Sequence, residues 1–232
     1  GSFMLVVPEA RWCLAPIPKV ASTLLKRLAV IAAGREPLAV AALGETRPAL
    51  AIHSADVHQL PSLAQLPLDQ QERLLRDPHN LRLLVTRHPG ERLLSFWHDK
   101  LHLGDPAYVP LNLSVQSSCG RLAAEPCRFE DFVVFLEESW DQLKGDGHLR
   151  PQQHGLSRDD LFNHRLDRDQ LTKELPRLLE PLLPPDRLQR ILHELQIYEQ
   201  QFRQRLANRW ERAYSKDGLA RLERLYGVDL HA

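Results

Sequence analysis

Leu81-Arg-Leu-Leu-Val-Thr-Arg-His-Pro-Gly-Glu-Arg-Leu-Leu-Ser95 changes its periodicity halfway along. Its first six residues are apolar enough for a strand buried in the middle of a parallel sheet. Pro89 then suits the first turn of a helix. Leu93, Leu94, Trp97 and Leu101 continue at helical spacing on one face. Arg87 falls where the strand stops, at the edge where open α/β sheets take ligands. Ser95 follows about two turns into the helix. A guanidinium acting as a two-pronged donor and a hydroxyl acting as a third can grip one phosphate. The plainer reading has Arg87 capping nearby carbonyls and Ser95 facing solvent.

A similar unit lies upstream. Arg11–Ala15 reads as a short apolar strand, and the two prolines between Pro16 and Lys19 forbid helix and ladder alike. From Ala21 or Ser22 to Ala33 the pattern is helical, with Leu24, Leu25, Leu28 and Ile31 or Ala32 on one face, and Gly34 is a good stop. Leu14-Ala-Pro-Ile-Pro-Lys-Val-Ala-Ser-Thr23 therefore runs strand, tight loop, helix start. Such a helix start offers unpaired N–H groups and the positive end of the dipole. Small residues at Ala21, Ser22 and Thr23 let a phosphate oxygen come close. Lys19 adds a mobile charge, and the two hydroxyls add donors. This is not G-x-x-x-x-G-K-[ST], because both glycines are missing and Lys19 precedes the helix. No acidic residue ends a later candidate strand to hold magnesium, which disfavours a magnesium-nucleotide kinase. An ordinary turn with Ser22 or Thr23 as N-cap is the plain alternative.

Elsewhere Ala49–His53 is a candidate strand, and Leu68–Arg76 a polar helix. Gly104–Pro126 reads as loop, Phe129–Trp140 as an amphipathic helix and Gly145–Asn163 as irregular. From Asp167 onward everything reads helical, over roughly 168–183, 185–213 and 216–226. Strands alternating with helices argue for an α/β fold with parallel strands and a helical C-terminal layer.

The 232 residues are 43% hydrophobic and 26% charged, the balance of an ordinary globular chain. Thirty basic and thirty acidic residues cancel, which removes the electrostatic argument for a dedicated nucleic-acid binder. The longest apolar stretch, Leu24–Ala33, is broken by Lys26 and Arg27, so no segment is expected to span a bilayer. Gly1-Ser2 reads as a scar of expression, which leaves room for a natural leader or anchor. Cys13, Cys119 and Cys127 are too few for a disulfide scaffold and have no zinc-ligand spacing; Cys119 and Cys127 either pair or stay free.

Taken together, the two phosphate segments resemble those of the sulfotransferase superfamily, nearest to the carbohydrate sulfotransferases of family 2. Pro18-Lys-Val-Ala-Ser-Thr23 resembles the family's loop for the 5′-phosphosulfate of PAPS (3′-phosphoadenosine 5′-phosphosulfate). Arg87-His-Pro-Gly-Glu-Arg-Leu-Leu-Ser95 resembles its 3′-phosphate motif, R-x-P-x-x-R-L-x-S, and Phe96-Trp-His-Asp-Lys100 its continuation. His148-Leu-Arg-Pro-Gln152 is similar to a later H-x-x-P-Q segment, and Tyr226-Gly-Val-Asp229 to the C-terminal end. The resemblance implies a P-loop-NTPase-like parallel sheet flanked by helices, in one domain over residues 1–232. Its α/β nucleotide-binding core would cover 3–143, and its mostly helical acceptor-side and C-terminal part 144–232. It implies transfer of a sulfuryl group from PAPS to a hydroxyl or amine, with PAP as product and no metal. Pro18, Lys19, Val20, Ala21, Ser22, Thr23, Arg87 and Ser95 would bind the donor, and Lys19 would also act in catalysis.

A general base is needed beside the acceptor. His53 is the first candidate: it ends the Ala49–Ile52 strand, at the sheet edge shared by Lys19 and Arg87. The resemblance supports it, since cytosolic sulfotransferases place a catalytic His upstream of a Leu-Pro pair, here Leu60-Pro61; their K-x-H is not met, because position 51 is Ala51. His148 and His98 come next. The resemblance implies a small-molecule or glycan acceptor; Arg150, Arg158, Arg165 and Arg168 can contact an anionic one or form a solvated face. Arginine in excess of lysine and few cysteines point to a soluble, prokaryotic-like, cytoplasmic enzyme. A Golgi-lumen placement follows if an N-terminal anchor has been removed. A small-molecule kinase and a degenerate nucleotide binder without turnover are the competing readings.

Overall fold

Leu81 to Val85 are buried without interruption, and this places the strand they form at the middle of the sheet. The computed structural model describes residues 4–37, 52–122, 124–152, 161–206 and 210–230, with backbone alone for 202–206. In chain order its elements are β1 (Leu5–Val7), β2 (Trp12–Leu14), α1 (Ser22–Ala32), α2 (Ala55–His58), α3 (Leu68–Arg76) and β3 (Leu81–Thr86). There follow α4 (Pro89–Phe96), α5 (Val109–Ser118), α6 (Phe129–Glu138), α7 (Trp140–Leu143), β4 (His164–Asp167), α8 (Leu171–Leu179), α9 (Pro185–Leu206) and α10 (Lys216–Leu230). The fold is α/β, with a four-stranded, mostly parallel sheet. The chain divides into two compact units: Gly1–Thr86 with Arg158–Arg205, and Arg87–Ser157 with Leu206–Ala232.

The first unit holds the sheet, in the order β1-β2-β3-β4. β1 pairs antiparallel with β2; β3 runs parallel to both neighbours, with Leu83 opposite Leu14 on one side and His164 on the other. Leu24, Leu25, Leu28, Ala29, Val30, Ile31 and Ala32 of α1 are buried. Each fully buried leucine stabilises by about 1.5–3 kcal/mol relative to exposure. Two arginine contacts tie α1 to α9: Arg27 pairs with Glu194 at 2.9 Å, and Arg187 donates to the Ala32 carbonyl at 3.2 Å. The second puts a cation at the negative end of the α1 dipole.

The second unit is helical. Its core gathers Leu93, Phe96, Phe129, Phe132, Leu136 and Tyr226 from α4, α6 and α10. Glu137 on α6 accepts from Arg221 and Arg224 on α10 at 2.9 and 2.8 Å. A π-helical turn over Trp97–His102 continues α4, keeping Leu101 buried.

The strand over Leu81–Thr86, both flanking helices and the polar helix Leu68–Arg76 fall where expected. Four expectations do not hold. Ile52 and His53 form a turn of 3-10 helix, because the His53 ring is bonded to α1 rather than standing at the end of a strand; Ala49–Ala51 lie outside the described residues. α5 lies inside the stretch read as loop: Pro110 sits in its first turn and Val115 is fully buried. β4 falls between the stretch read as irregular, which ends at Asn163, and the helical reading that begins at Asp167; it escaped notice since only Leu166 of its four residues is buried and the apolar alternation is too short to see. Its register is fixed by Asn163, which accepts from the Arg82 amide at 2.8 Å and donates to the Asn80 carbonyl at 2.6 Å. β4 also ends in Asp167, so a later strand does end in an acid; that carboxylate accepts from the Asp169 amide as an N-cap. The three cysteines are free thiols, with Cys13 and Cys127 buried and Cys119 exposed. No helix among the described residues is long and apolar enough to cross a membrane.

Candidate functional site

Because β2 and β3 are parallel, both release the chain at the same edge of the sheet. From β2 the chain enters a tight loop, in which Ile17 N–H donates to the Ala15 carbonyl at 3.0 Å and Val20 N–H to the Ile17 carbonyl at 3.1 Å. Lys19 and Ala21 adopt left-handed φ values of 66° and 55°. That conformation costs a residue bearing Cβ about 1–2 kcal/mol, and such strain collects at functional sites. Val20 between them is fully buried and anchors the loop, while Pro18, Lys19, Ser22 and Thr23 stay half-buried.

Neither Ser22 nor Thr23 caps α1. Ala21 is the N-cap, no side chain closes it, and the first intrahelical bond runs from Leu25 N–H to the Ala21 carbonyl at 2.9 Å. The amides of Ala21, Ser22, Thr23 and Leu24 therefore have no backbone acceptor among the described residues. Four donors sit at the positive end of a helix whose flanking side chains are an ammonium and two hydroxyls, a set suited to an anion.

The His53 ring joins this helix start. Its Nε2 lies 2.9 Å from Thr23 Oγ1, and its Nδ1 lies 2.9 Å from Lys26 Nζ. An ammonium only donates, so Nδ1 accepts and Nε2 carries the hydrogen. Nε2–H then donates to Thr23 Oγ1, which leaves the Thr23 hydroxyl hydrogen to be given elsewhere. Burial pushes the Lys26 ammonium below its ordinary value. Sequence reasoning passed over Lys26; its position three residues after Thr23, on the same helix face, was the available signal.

The second constellation belongs to the other unit. The Arg87 guanidinium is 10% exposed and donates to Glu91 Oε1 at 3.1 Å. Gln152 holds its backbone: Oε1 accepts from the Arg87 amide at 2.9 Å, and Nε2 donates to the Arg87 carbonyl at 2.6 Å. His88 is the N-cap of α4, accepting from the Gly90 amide at 3.1 Å, and its ring stacks on Trp210 at 4.2 Å. Ser95 is half-buried in the second turn of α4. Arg92, 2% exposed, donates to the carbonyls of Arg150 and Gly147 at 2.7 and 3.0 Å.

Of the other candidate bases, His148 contacts Tyr108 Oη at 3.1 Å and Asp146 Oδ1 at 3.3 Å. Burial alone would raise the Asp146 carboxyl; the hydrogen bonds from His148 and Tyr108 outweigh it and hold the group below its ordinary value. His98 is exposed, 3.4 Å from Asp99. Among the arginines suggested for an acceptor, Arg165 is exposed and Arg150 half-buried, while Arg158 lies outside the described residues. Arg168 is 5% exposed and donates to Tyr198 Oη at 2.6 Å, so it serves the interior rather than a solvated face.

Comparison with known proteins finds no curated protein and no solved structure that matches the chain. It does find a match to the family described as the sulfotransferase family, running from residue 4 to residue 231. The strand–loop–helix start with its open amides and the arginine-headed second helix thus belong to a member of the sulfotransferase family, whose chemistry is sulfuryl transfer.

Proposed function

We propose that this sulfotransferase takes its sulfuryl group from PAPS and delivers it to a hydroxyl or amine of a carbohydrate acceptor. The observation that carries the reading is the row of amides from Ala21 to Leu24 behind two left-handed residues with side chains. A loop that keeps such strain, next to four amides with no backbone acceptor among the described residues, suits an anion. Pro18 to Thr23 take the 5′-phosphosulfate, and Arg87 with Ser95 takes the 3′-phosphate. In the transfer, the bond from sulfur to the donor's phosphate oxygen breaks and a bond from sulfur to the acceptor forms. Lys19 and the α1 amides stabilise the charge that grows on the departing oxygen, and no metal is required for that.

His53 is the proposed base for the acceptor proton. The nitrogen that would take the proton is Nδ1, which Lys26 Nζ contacts at 2.9 Å, since Nε2 faces Thr23 Oγ1. Acceptor binding must therefore displace the Lys26 ammonium from Nδ1. Three free cysteines suit a reducing, cytoplasmic setting.

Calorimetric titration with PAP, AMP and ATP–magnesium tests the donor assignment. Loss of a charge-assisted contact set costs roughly 1.5–3 kcal/mol per bond, so PAP should bind at least tenfold more tightly than AMP. Equal affinities, or preference for ATP–magnesium, would reject it. The acceptor is then tested by transfer of labelled sulfate from PAPS to a panel of carbohydrates against other hydroxyl compounds.

A further inference from the structure

Arg87 lies between two elements, and its peptide is bonded by a side chain from a third segment. β3 ends at Thr86, and α4 begins at Pro89 with His88 as its N-cap. The first helical amide bond of α4 goes from Arg92 to the His88 carbonyl at 3.0 Å, one residue too late for Arg87. Buried backbone donors and acceptors need partners. Here both come from one side chain, the Gln152 carboxamide, itself 4% exposed.

Gln152 is held in turn. Its own amide donates to Asp229 Oδ2 at 2.7 Å. The turn just before it is fixed by Arg92 of α4, through the carbonyls of Gly147 and Arg150, and by the Tyr226 hydroxyl on the Leu149 carbonyl. Leu149 and Tyr226 are buried. The segments His148–Gln152 and Tyr226–Asp229 thereby acquire a shared task within one unit.

We propose that Gln152 and Asp229 are positioning residues that set the Arg87 backbone, and through it the direction of the guanidinium toward the 3′-phosphate. This rests on the assignment of Arg87 to that phosphate. Side-chain direction follows φ and ψ, and a charge-assisted grip depends on its geometry. Gln152 touches no part of the donor in this scheme; it acts through Arg87 alone.

The test measures PAP and AMP affinity by calorimetry, and thermal unfolding, for wild type, Arg87→Ala, Gln152→Glu, Asp229→Ala and Asp229→Asn. Gln152→Glu keeps an acceptor for the Arg87 amide but sets a carboxylate against the Arg87 carbonyl. Gln152→Glu and Asp229→Ala should weaken PAP roughly tenfold, the scale of one charge-assisted hydrogen bond, and leave AMP within about twofold. Asp229→Asn retains an oxygen for the Gln152 amide and should recover most of the PAP affinity. A merely structural role predicts lowered melting temperature and equal losses for both nucleotides, which would overturn the inference. So would an unchanged PAP-to-AMP ratio in Gln152→Glu, the variant that carries the test if Asp229→Ala does not fold. Arg87→Ala separates the two layers: if it leaves the ratio intact, the phosphate assignment itself fails. If it abolishes the ratio while the Gln152 and Asp229 variants keep it, only the positioning role fails.

Discussion

Lys19 offers a paired replacement in which chemistry and backbone strain come apart. Lys19→Gly and Lys19→Ala both delete the ammonium, so whatever that group contacts is lost equally. They differ in the left-handed backbone, where φ is 66°. Alanine keeps a penalty of about 1–2 kcal/mol there, which glycine does not have. Glycine loses about 0.5–1 kcal/mol more backbone entropy on folding. The difference leaves Lys19→Gly more stable than Lys19→Ala by about 0.5–1 kcal/mol, or roughly 1–4 °C in melting temperature for a chain of this size. Calorimetric unfolding reads that number directly. Turnover should fall together in both variants, on the order of a hundredfold, with PAP affinity changed much less, because the ammonium acts on charge that grows in the transition state. Two results would refute the reasoning: Lys19→Gly melting below Lys19→Ala, or either variant keeping turnover within about threefold of wild type.

His53→Ala should lower turnover on the order of a hundredfold or more and leave PAP binding near wild type; a normal rate with reduced stability would make the ring a brace for Thr23 instead. At Gly90 a Cβ would come within 2.3 Å of the Trp210 ring, and Tyr214 already donates to the Gly90 carbonyl at 2.7 Å. Gly90→Ala should therefore cost about 1–3 kcal/mol by overpacking, read by denaturant unfolding, and a neutral result would mean that Trp210 yields easily. Asp146 is held below its usual 3.8, so its stabilisation is present above that value and is lost as pH falls through the lower, folded value. Asp146→Asn should be less stable at neutral pH and show a smaller acid-side loss, checked by unfolding between pH 2 and 7.

What could be read in the sequence was local. β3 and the helices on either side of it announce themselves because a run of buried leucines and valines, then a proline, then helical spacing, lie in one continuous stretch. The loop before α1 could be read for the same reason, although its left-handed residues could not, since lysine and alanine give no sign of positive φ. β4 was hidden because an edge strand with one inward side chain has no pattern, and its pairing depends on Asn163, far from Asn80 along the chain. His53 was identified as a candidate, but its setting was misjudged: it is bound to Thr23 and Lys26 from a 3-10 turn. Gln152 and Asp229 carried a family likeness without a task, because their partners become visible only when segments 65 and 77 residues apart meet.

The separation of β3 from β4 also bears on synthesis. β3 is complete at Thr86, yet the strand that covers its second edge begins at His164. At about 5–20 residues per second, a ribosome would leave that edge without its partner for roughly 4–16 s. An apolar strand with open amides and carbonyls is a template for pairing with other chains. The first unit thus passes through a period during translation when aggregation competes with folding. Arg82, seated in β3 and donating to the Leu161 and Leu74 carbonyls in the finished fold, puts a charge on that strand while it waits.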